Sequence, residues 1–159
     1  MPDPAGLVES QVVYSPDRSV QIALNGSQAQ QTQSGRFISE FFGAGVQHIA
    51  FTTADIFATV EAMLSAGVDL LPIPPNYYDD LEARFDLDPP LADRLRTLNV
   101  LYDEDEQGRY FQVYTRVFAD RFFFEIVTRE GYAGFGATNA PIRLAAQARL
   151  SARAAPAGM

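Results

Sequence analysis

Along the chain, apolar and polar positions switch several times between a period of two and a period near 3.6. Gln11-Val12-Val13-Tyr14 and Val20-Gln21-Ile22-Ala23-Leu24, parted by the turn residues Ser15-Pro16-Asp17, predict a β-hairpin. From Asn25 to Gly35 there is almost no large apolar side chain, so this stretch reads as a surface loop, either a spacer or a polar flap over a pocket. Phe37, Ile38, Phe41 and Phe42 set out a short amphipathic helix that Gly43 ends. Gly45 to Asp55 carries Val, Ile and Phe in alternation, as a half-buried strand does. A helix follows, capped by Thr53 or Asp55, with Ile56, Phe57, Val60, Met63 and Leu64 on its inner face and Gly67 at its end.

Val68 to Ile73 reads as a second strand, which Pro72 confines to a sheet edge or end. Pro89-Pro90 divides two short helices near Tyr77–Phe85 and Leu91–Leu98. Val100–Asp103 and Tyr110–Thr115 form a second hairpin, Phe122–Val127 adds a strand, and Pro141 opens a last helix bearing Ile142, Leu144, Ala145, Ala148 and Leu150. Residues 1–9 read as a disordered lead-in and 154–159 as a frayed tail, leaving one domain over 10–153. From Gly45 the order is strand, helix, strand, two helices and three strands, an α+β arrangement with helices on one side of a sheet.

Two polar residues interrupt this apolar pattern. His48, the sole histidine, sits in the central strand and points inward, either as a core histidine held by a backbone carbonyl or as a ligand. In Phe122–Val127 the period of two places Glu125 with Phe123 and Val127, among large hydrophobes. A carboxylate there takes up a proton or finds a compensating charge, from a metal or from Arg116, Arg121 or Arg129. Together, His48 and Glu125 suggest a nitrogen-plus-oxygen metal site. Gln112 stands between Tyr110 and Tyr114 on one strand face, which suits either a hydrogen-bonding role or a solvated amide.

Composition narrows the chemistry. The 159 residues include no cysteine, which excludes disulfides, zinc–thiolate sites and thiol catalysis. Twenty acidic against 12 basic residues give a net charge of −8, which repels nucleic acid and anionic lipid. No apolar run suits a membrane span and the first residues lack a signal sequence, so a cytoplasmic location is expected.

Six collinear motifs carry a family resemblance. Gly45-Val46-Gln47-His48-Ile49-Ala50, Tyr77-Tyr78-Asp79, Val100 to Asp105, Phe111-Gln112-Val113-Tyr114-Thr115, Phe123-Phe124-Glu125-Ile126-Val127 and Gly134-Phe135-Gly136-Ala137-Thr138-Asn139 resemble the carboxyl-terminal domain of 4-hydroxyphenylpyruvate dioxygenases, of the vicinal oxygen chelate superfamily. Asn76 to Leu81, Arg121 to Glu125 and Asn139 to Gln147 are more similar to the dioxygenase-like half of bacterial fusion proteins with a 3-dehydroshikimate dehydratase half.

The resemblance implies a βαβββ module over 45–130 with a mixed, curved sheet and outer helices, preceded over 10–44 by the last strands of a partial first module and followed by a helix to 153. It implies Fe(II), with Mn, Zn or Ni as alternatives, held by two histidines and a glutamate, of which His48 and Glu125 are two. The family's first metal histidine lies on an earlier strand, and this chain has no other histidine. Gln112, Gln47, Phe123, Phe135, Tyr114, Asn25 and Asn139 fall on substrate-side positions, while Ser34, Ala140 and Ala23 replace the family's glutamine, phenylalanine and proline. The implied substrate is a 2-oxo acid or related aromatic or cyclic acid, the alternative being a non-catalytic accessory or dimerisation domain, and a homodimer is expected from an uncovered sheet edge.

Overall fold

In the computed structural model, residues 2–3, 6–118 and 122–154 are described, and the chain divides between Gln47 and His48 into two compact units. The first unit opens with the paired strands β1 (Pro2–Asp3) and β2 (Gly6–Leu7), so the expected lead-in carries regular pairing, anchored by the buried side chain of Val8. Strands β3 (Glu9–Tyr14) and β4 (Gln21–Gly26) form the first expected hairpin, with Val13 opposite Ile22. The polar stretch after it is shorter than the sequence suggests. Helix α1 (Gln33–Glu40) begins inside it, because the Thr32 hydroxyl caps the Gly35 N–H at 3.1 Å.

In the second unit, β5 (His48–Thr52) leads into α2 (Ile56–Ser65), whose first turn is capped by Asp55 through the Ala58 N–H at 3.0 Å. Helices α3 (Pro75–Arg84) and α4 (Pro89–Thr97) each start on proline, the residue that loses least there because the first-turn N–H has no helical partner. Strands β6 (Leu101–Asp105), β7 (Gly108–Tyr114) and β8 (Phe123–Glu130) follow, then a 3-10 turn at Ala137–Asn139 and α5 (Ala140–Ala154). The sheet order is β5-β8-β7-β6, parallel between β5 and β8 and antiparallel elsewhere, a mixed α+β layer.

One expected strand is absent. Of Val68–Ile73 only Leu70 forms a bridge, to Thr115, while Leu70, Leu71 and Ile73 are buried. The Leu71 N–H donates to the Tyr114 carbonyl at 2.8 Å and the Arg116 N–H to the Asp69 carbonyl at 3.0 Å, but Pro72 and Pro74 lack the N–H groups that a longer ladder needs, so the segment meets the end of β7 at that one bridge and forms no strand.

The strand registers sort the sheet into two faces. Ile126, Phe111, Val113 and Tyr102 lie on one and enter the core with Ile56 and Val60 of α2, Tyr78 and Leu81 of α3 and Leu95 of α4. His48 and Ala50 of β5, Phe123, Glu125 and Val127 of β8, and Tyr110, Gln112 and Tyr114 of β7 share the other. That face meets the 3-10 turn and α5, through Asn139 and Arg143.

Candidate functional site

The parallel register sets His48 beside Phe123 and Ala50 beside Glu125, so the histidine and the glutamate rise from one sheet face. The His48 ring stacks on Phe123 with centroids 5.1 Å apart and planes 8° from parallel, and its Nε2 lies 3.6 Å from Glu125 Oε2. Burial, and then the positive charge of Arg143, lower the His48 pKa to about 4. The ring is therefore neutral at ordinary pH, the form in which a histidine ligates metal.

Glu125 is buried and fixed from several sides. Gln112 Nε2 donates to Glu125 Oε1 at 3.0 Å and to the Tyr114 hydroxyl at 2.9 Å. Burial raises the Glu125 pKa, opposed by hydrogen bonds from Gln112 and Tyr114 and by the charges of Arg143 and Arg129. Behind Gln112, Asn139 Nδ2 donates to Gln112 Oε1 at 2.9 Å, and the Tyr77 hydroxyl lies 3.0 Å from Asn139 Oδ1. A continuous polar chain thus runs from α3 through the 3-10 turn and β7 to the carboxylate.

Gly136 permits the close packing of that turn. Its φ is +60°, and a Cβ there would stand 2.5 Å from Gln112 Oε1 and 2.6 Å from a Tyr110 ring carbon.

Two donors bonded at about 2.1 Å to one octahedral ion stand roughly 3 Å apart when adjacent, so the His48–Glu125 spacing suits a shared divalent cation. The pair fits such an ion through one nitrogen and one oxygen. Among the described residues, no cluster of three His, Cys, Asp or Glu side chains is placed to complete a three-ligand set.

The other expected site residues divide. Gln112, Tyr114, Phe123 and Asn139 gather around Glu125 and His48, whereas the two amides spend their hydrogen bonds on protein groups: they orient the carboxylate. Phe135 is half exposed under the Arg129 guanidinium, 5.5 Å from its ring centroid. Gln47 and Asn25 belong to the other unit, where Asn25 accepts from the Ser10 hydroxyl at 2.7 Å. Of the arginines considered beside Glu125, Arg116 is exposed and Arg129 turns to the Tyr110 hydroxyl and the Gly134 carbonyl; Arg121 lies outside the described residues.

The residue that sequence reasoning missed is Arg143. It is 8% exposed, and its guanidinium lies over the rings of Phe123 at 5.2 Å and Tyr114 at 5.7 Å. The signal was present in the spacing. Arg143 and Ala146 are buried three residues apart on the inner face of α5, four and seven residues after the buried Asn139 of the 3-10 turn, a stripe that the apolar residues alone did not reveal.

Comparison with known proteins places this geometry. The profile of the Glyoxalase/Bleomycin resistance protein/Dioxygenase superfamily matches residues 3–94. The chain is 54% identical over 151 residues to a 3-dehydroshikimate dehydratase of Pseudomonas aeruginosa, covering 94% of this chain and 24% of that protein. It is 36% identical over 132 residues to the 4-hydroxyphenylpyruvate dioxygenase of the same organism, covering 82% and 37%. A solved xylose isomerase-like TIM barrel/4-hydroxyphenylpyruvate dioxygenase fusion protein superposes with a TM-score of 0.77 at 49% identity, over 91% of this chain and 24% of that one. The chain thus spans about a quarter of the length of the dehydratase and of the fusion protein. With the motifs, the mixed sheet and these matches agreeing, the chain belongs to the glyoxalase/bleomycin resistance protein/dioxygenase superfamily.

Proposed function

We propose that the second unit is a divalent-metal-binding, dioxygenase-like domain in which His48 and Glu125 are two of three protein ligands, the third coming from outside the described residues. The observation that carries this is the 3.6 Å approach of a neutral imidazole nitrogen to a carboxylate oxygen on one sheet face. Fe(II) is the ion favoured, and when bound it supplies oxidative chemistry toward a 2-oxo acid or a related aromatic or cyclic acid. The chain's own residues do the preparatory work: Gln112 and Tyr114 hold Glu125 in one orientation, Phe123 fixes the plane of His48, and Asn139 of the 3-10 turn braces Gln112.

Titration with Mn(II), read by electron paramagnetic resonance, tests the reading. One ion per chain is expected, lost in both His48→Ala and Glu125→Gln. Equal uptake by wild type and both variants would overturn it.

A second reading is favoured by the two-ligand set and by the 24% share of the dehydratase that this chain spans: a non-catalytic accessory or dimerisation domain of a 3-dehydroshikimate dehydratase. Oxygen uptake with Fe(II) and phenylpyruvate separates the two, since only the first reading expects turnover. The exposed apolar side chains of Val13, Ile22 and Leu24 support a homodimer in either case, which sedimentation at micromolar concentration would detect.

A further inference from the structure

Asp103 of β6 is a buried carboxylate outside the His48–Glu125 pair. The β6–β7 register sets it opposite Tyr110, on the sheet face that carries Gln112 and Glu125. Across Tyr110 it lines up with Arg129, so it stands about 10 Å across the sheet and about 13 Å along it from Glu125, too far to share a ligand with that residue. Its side chain is 5% exposed, and one oxygen, Oδ2, accepts two hydroxyls, from Tyr132 and from Thr138, each at 2.8 Å. The other oxygen faces the half-exposed Arg84 guanidinium at 3.9 Å.

These two hydroxyls bracket a segment that regular structure does not hold. Residues 132–136 belong to no helix or strand, so their own backbone pairing does not fix where the 3-10 turn sits. Hydrogen bonds to a carboxylate are roughly twice as strong as neutral ones, and Asp103 makes one at each end of the segment. At the first end the Tyr132 ring also stacks on Tyr110, with centroids 5.1 Å apart and planes 7° from parallel. At the second end Thr138 is followed at once by Asn139, whose amide donates to Gln112, and Gln112 in turn donates to Glu125. The path from Asp103 to the carboxylate of the site is thus made of named bonds.

We infer that Asp103 is a positioning residue for the His48–Glu125 site: by pinning both ends of residues 132–138 it sets where Asn139 stands, and so how Gln112 and Glu125 are oriented. Its effect on ion binding rests on the metal reading, whereas its effect on Gln112 does not. The acceptor oxygen matters here more than the charge. Because Oδ2 alone serves both hydroxyls, an amide oxygen at the same place can accept the same two bonds.

The test compares wild type with Asp103→Ala, Asp103→Asn and Thr138→Val by two readouts: Mn(II) affinity from electron paramagnetic resonance, and hydrogen exchange of the Gln112 side-chain amide by NMR in EDTA, with β7–β8 backbone protection as the check on folding. Asp103→Ala should weaken Mn(II) binding about three- to tenfold, less than the roughly 10–100-fold that loss of a ligand's own hydrogen-bond partner brings. It should also speed Gln112 exchange about tenfold, the change that one lost hydrogen bond makes in an opening equilibrium. Thr138→Val should show part of both effects, and Asp103→Asn should return both close to wild type. Thr138 is exposed, so its variant carries the test should Asp103→Ala fail to fold. Unchanged Gln112 exchange or unchanged Mn(II) affinity in a folded Asp103→Ala would each overturn the inference, as would an Asp103→Asn no better than Asp103→Ala. If wild type takes up no Mn(II) while Gln112 exchange still follows the Asp103 series, the metal reading falls and the positioning role stands.

Discussion

The two antiparallel pairs β3–β4 and β7–β8 are built alike and put to different uses. Both alternate along their strands, yet Ile22 of the first is 54% exposed while Val113 of the second is fully buried. The contrast is sharpest between two asparagines. Asn25 lies on the surface and accepts one hydrogen bond from Ser10, whereas Asn139 is buried and bonds to Tyr77, Tyr102 and Gln112. A polar group in water is free to exchange partners; a buried one must keep the partners it has. That constraint holds Gln112, and through it Glu125, in a single orientation before any ligand arrives.

Removing the constraint gives the largest expected effect. Asn139→Ala leaves the buried Gln112 amide oxygen without its donor, while the Tyr102 carbonyl keeps the Tyr77 hydroxyl, and should cost about 3 kcal/mol in urea unfolding, with weaker Mn(II) uptake. Asn25→Ala should stay within about 0.5 kcal/mol. Equal losses would remove the distinction between the two regions. Glycines repeat the contrast at a smaller scale: Gly136→Ala drives a Cβ into Gln112 at positive φ and should cost roughly 2–3 kcal/mol, while Gly26, with nothing within 4 Å of such a Cβ, should accept alanine almost without change.

The histidine sharpens the comparison through pH. In the unfolded chain His48 titrates near its ordinary value of 6.5, and in the folded apo chain at about 4, so the unfolded state takes the proton first. Stability contributed by the neutral ring is present above pH 6.5 and is lost as pH falls toward 4, by about 2 kcal/mol after allowing for the ring's partial exposure. Glu125 works in the opposite direction because burial raises its pKa, so the effect is best read in a Glu125→Gln background, where His48→Phe should abolish it. A pH-stability curve in that background unchanged by His48→Phe would mean that the ring is not held neutral by its surroundings.

Much of this was legible in the sequence because period-two alternation states which side chains share a sheet face. Phe123, Glu125 and Val127, and likewise Tyr110, Gln112 and Tyr114, stand as their spacing implies. The pairing of β5 with β8 was not legible, since a parallel register between strands 75 residues apart leaves no local mark, and it is what brings His48 to Glu125. Nor was the inward placement of Arg143: a helix pattern read from apolar residues alone hides a cation on the buried stripe. Pro72 and Pro74 did carry the information that overturns the Val68–Ile73 strand, because a residue without an N–H cannot extend a ladder.

The smallest effect belongs to the exposed hairpin, where a shifted pKa has a wholly local cause. Asp17 closes the β3–β4 turn by accepting from the Ser15 hydroxyl at 2.6 Å, the Ser19 N–H at 3.2 Å and the Ser19 hydroxyl at 2.9 Å. These bonds, that from Ser15 foremost, lower its pKa from 3.8 to about 2. Its contribution is therefore present above pH 3.8 and fades as pH falls toward 2, opening the turn without disturbing the site. Carboxyl carbon NMR should record the low titration in wild type and a return toward 3.8 in Ser15→Ala, with β7–β8 amide protection unchanged. Should Asp17 titrate near 3.8 in both, water replaces the serines in solution, and the exposed hairpin holds its turn by backbone pairing alone, through the Ser15 N–H to the Val20 carbonyl.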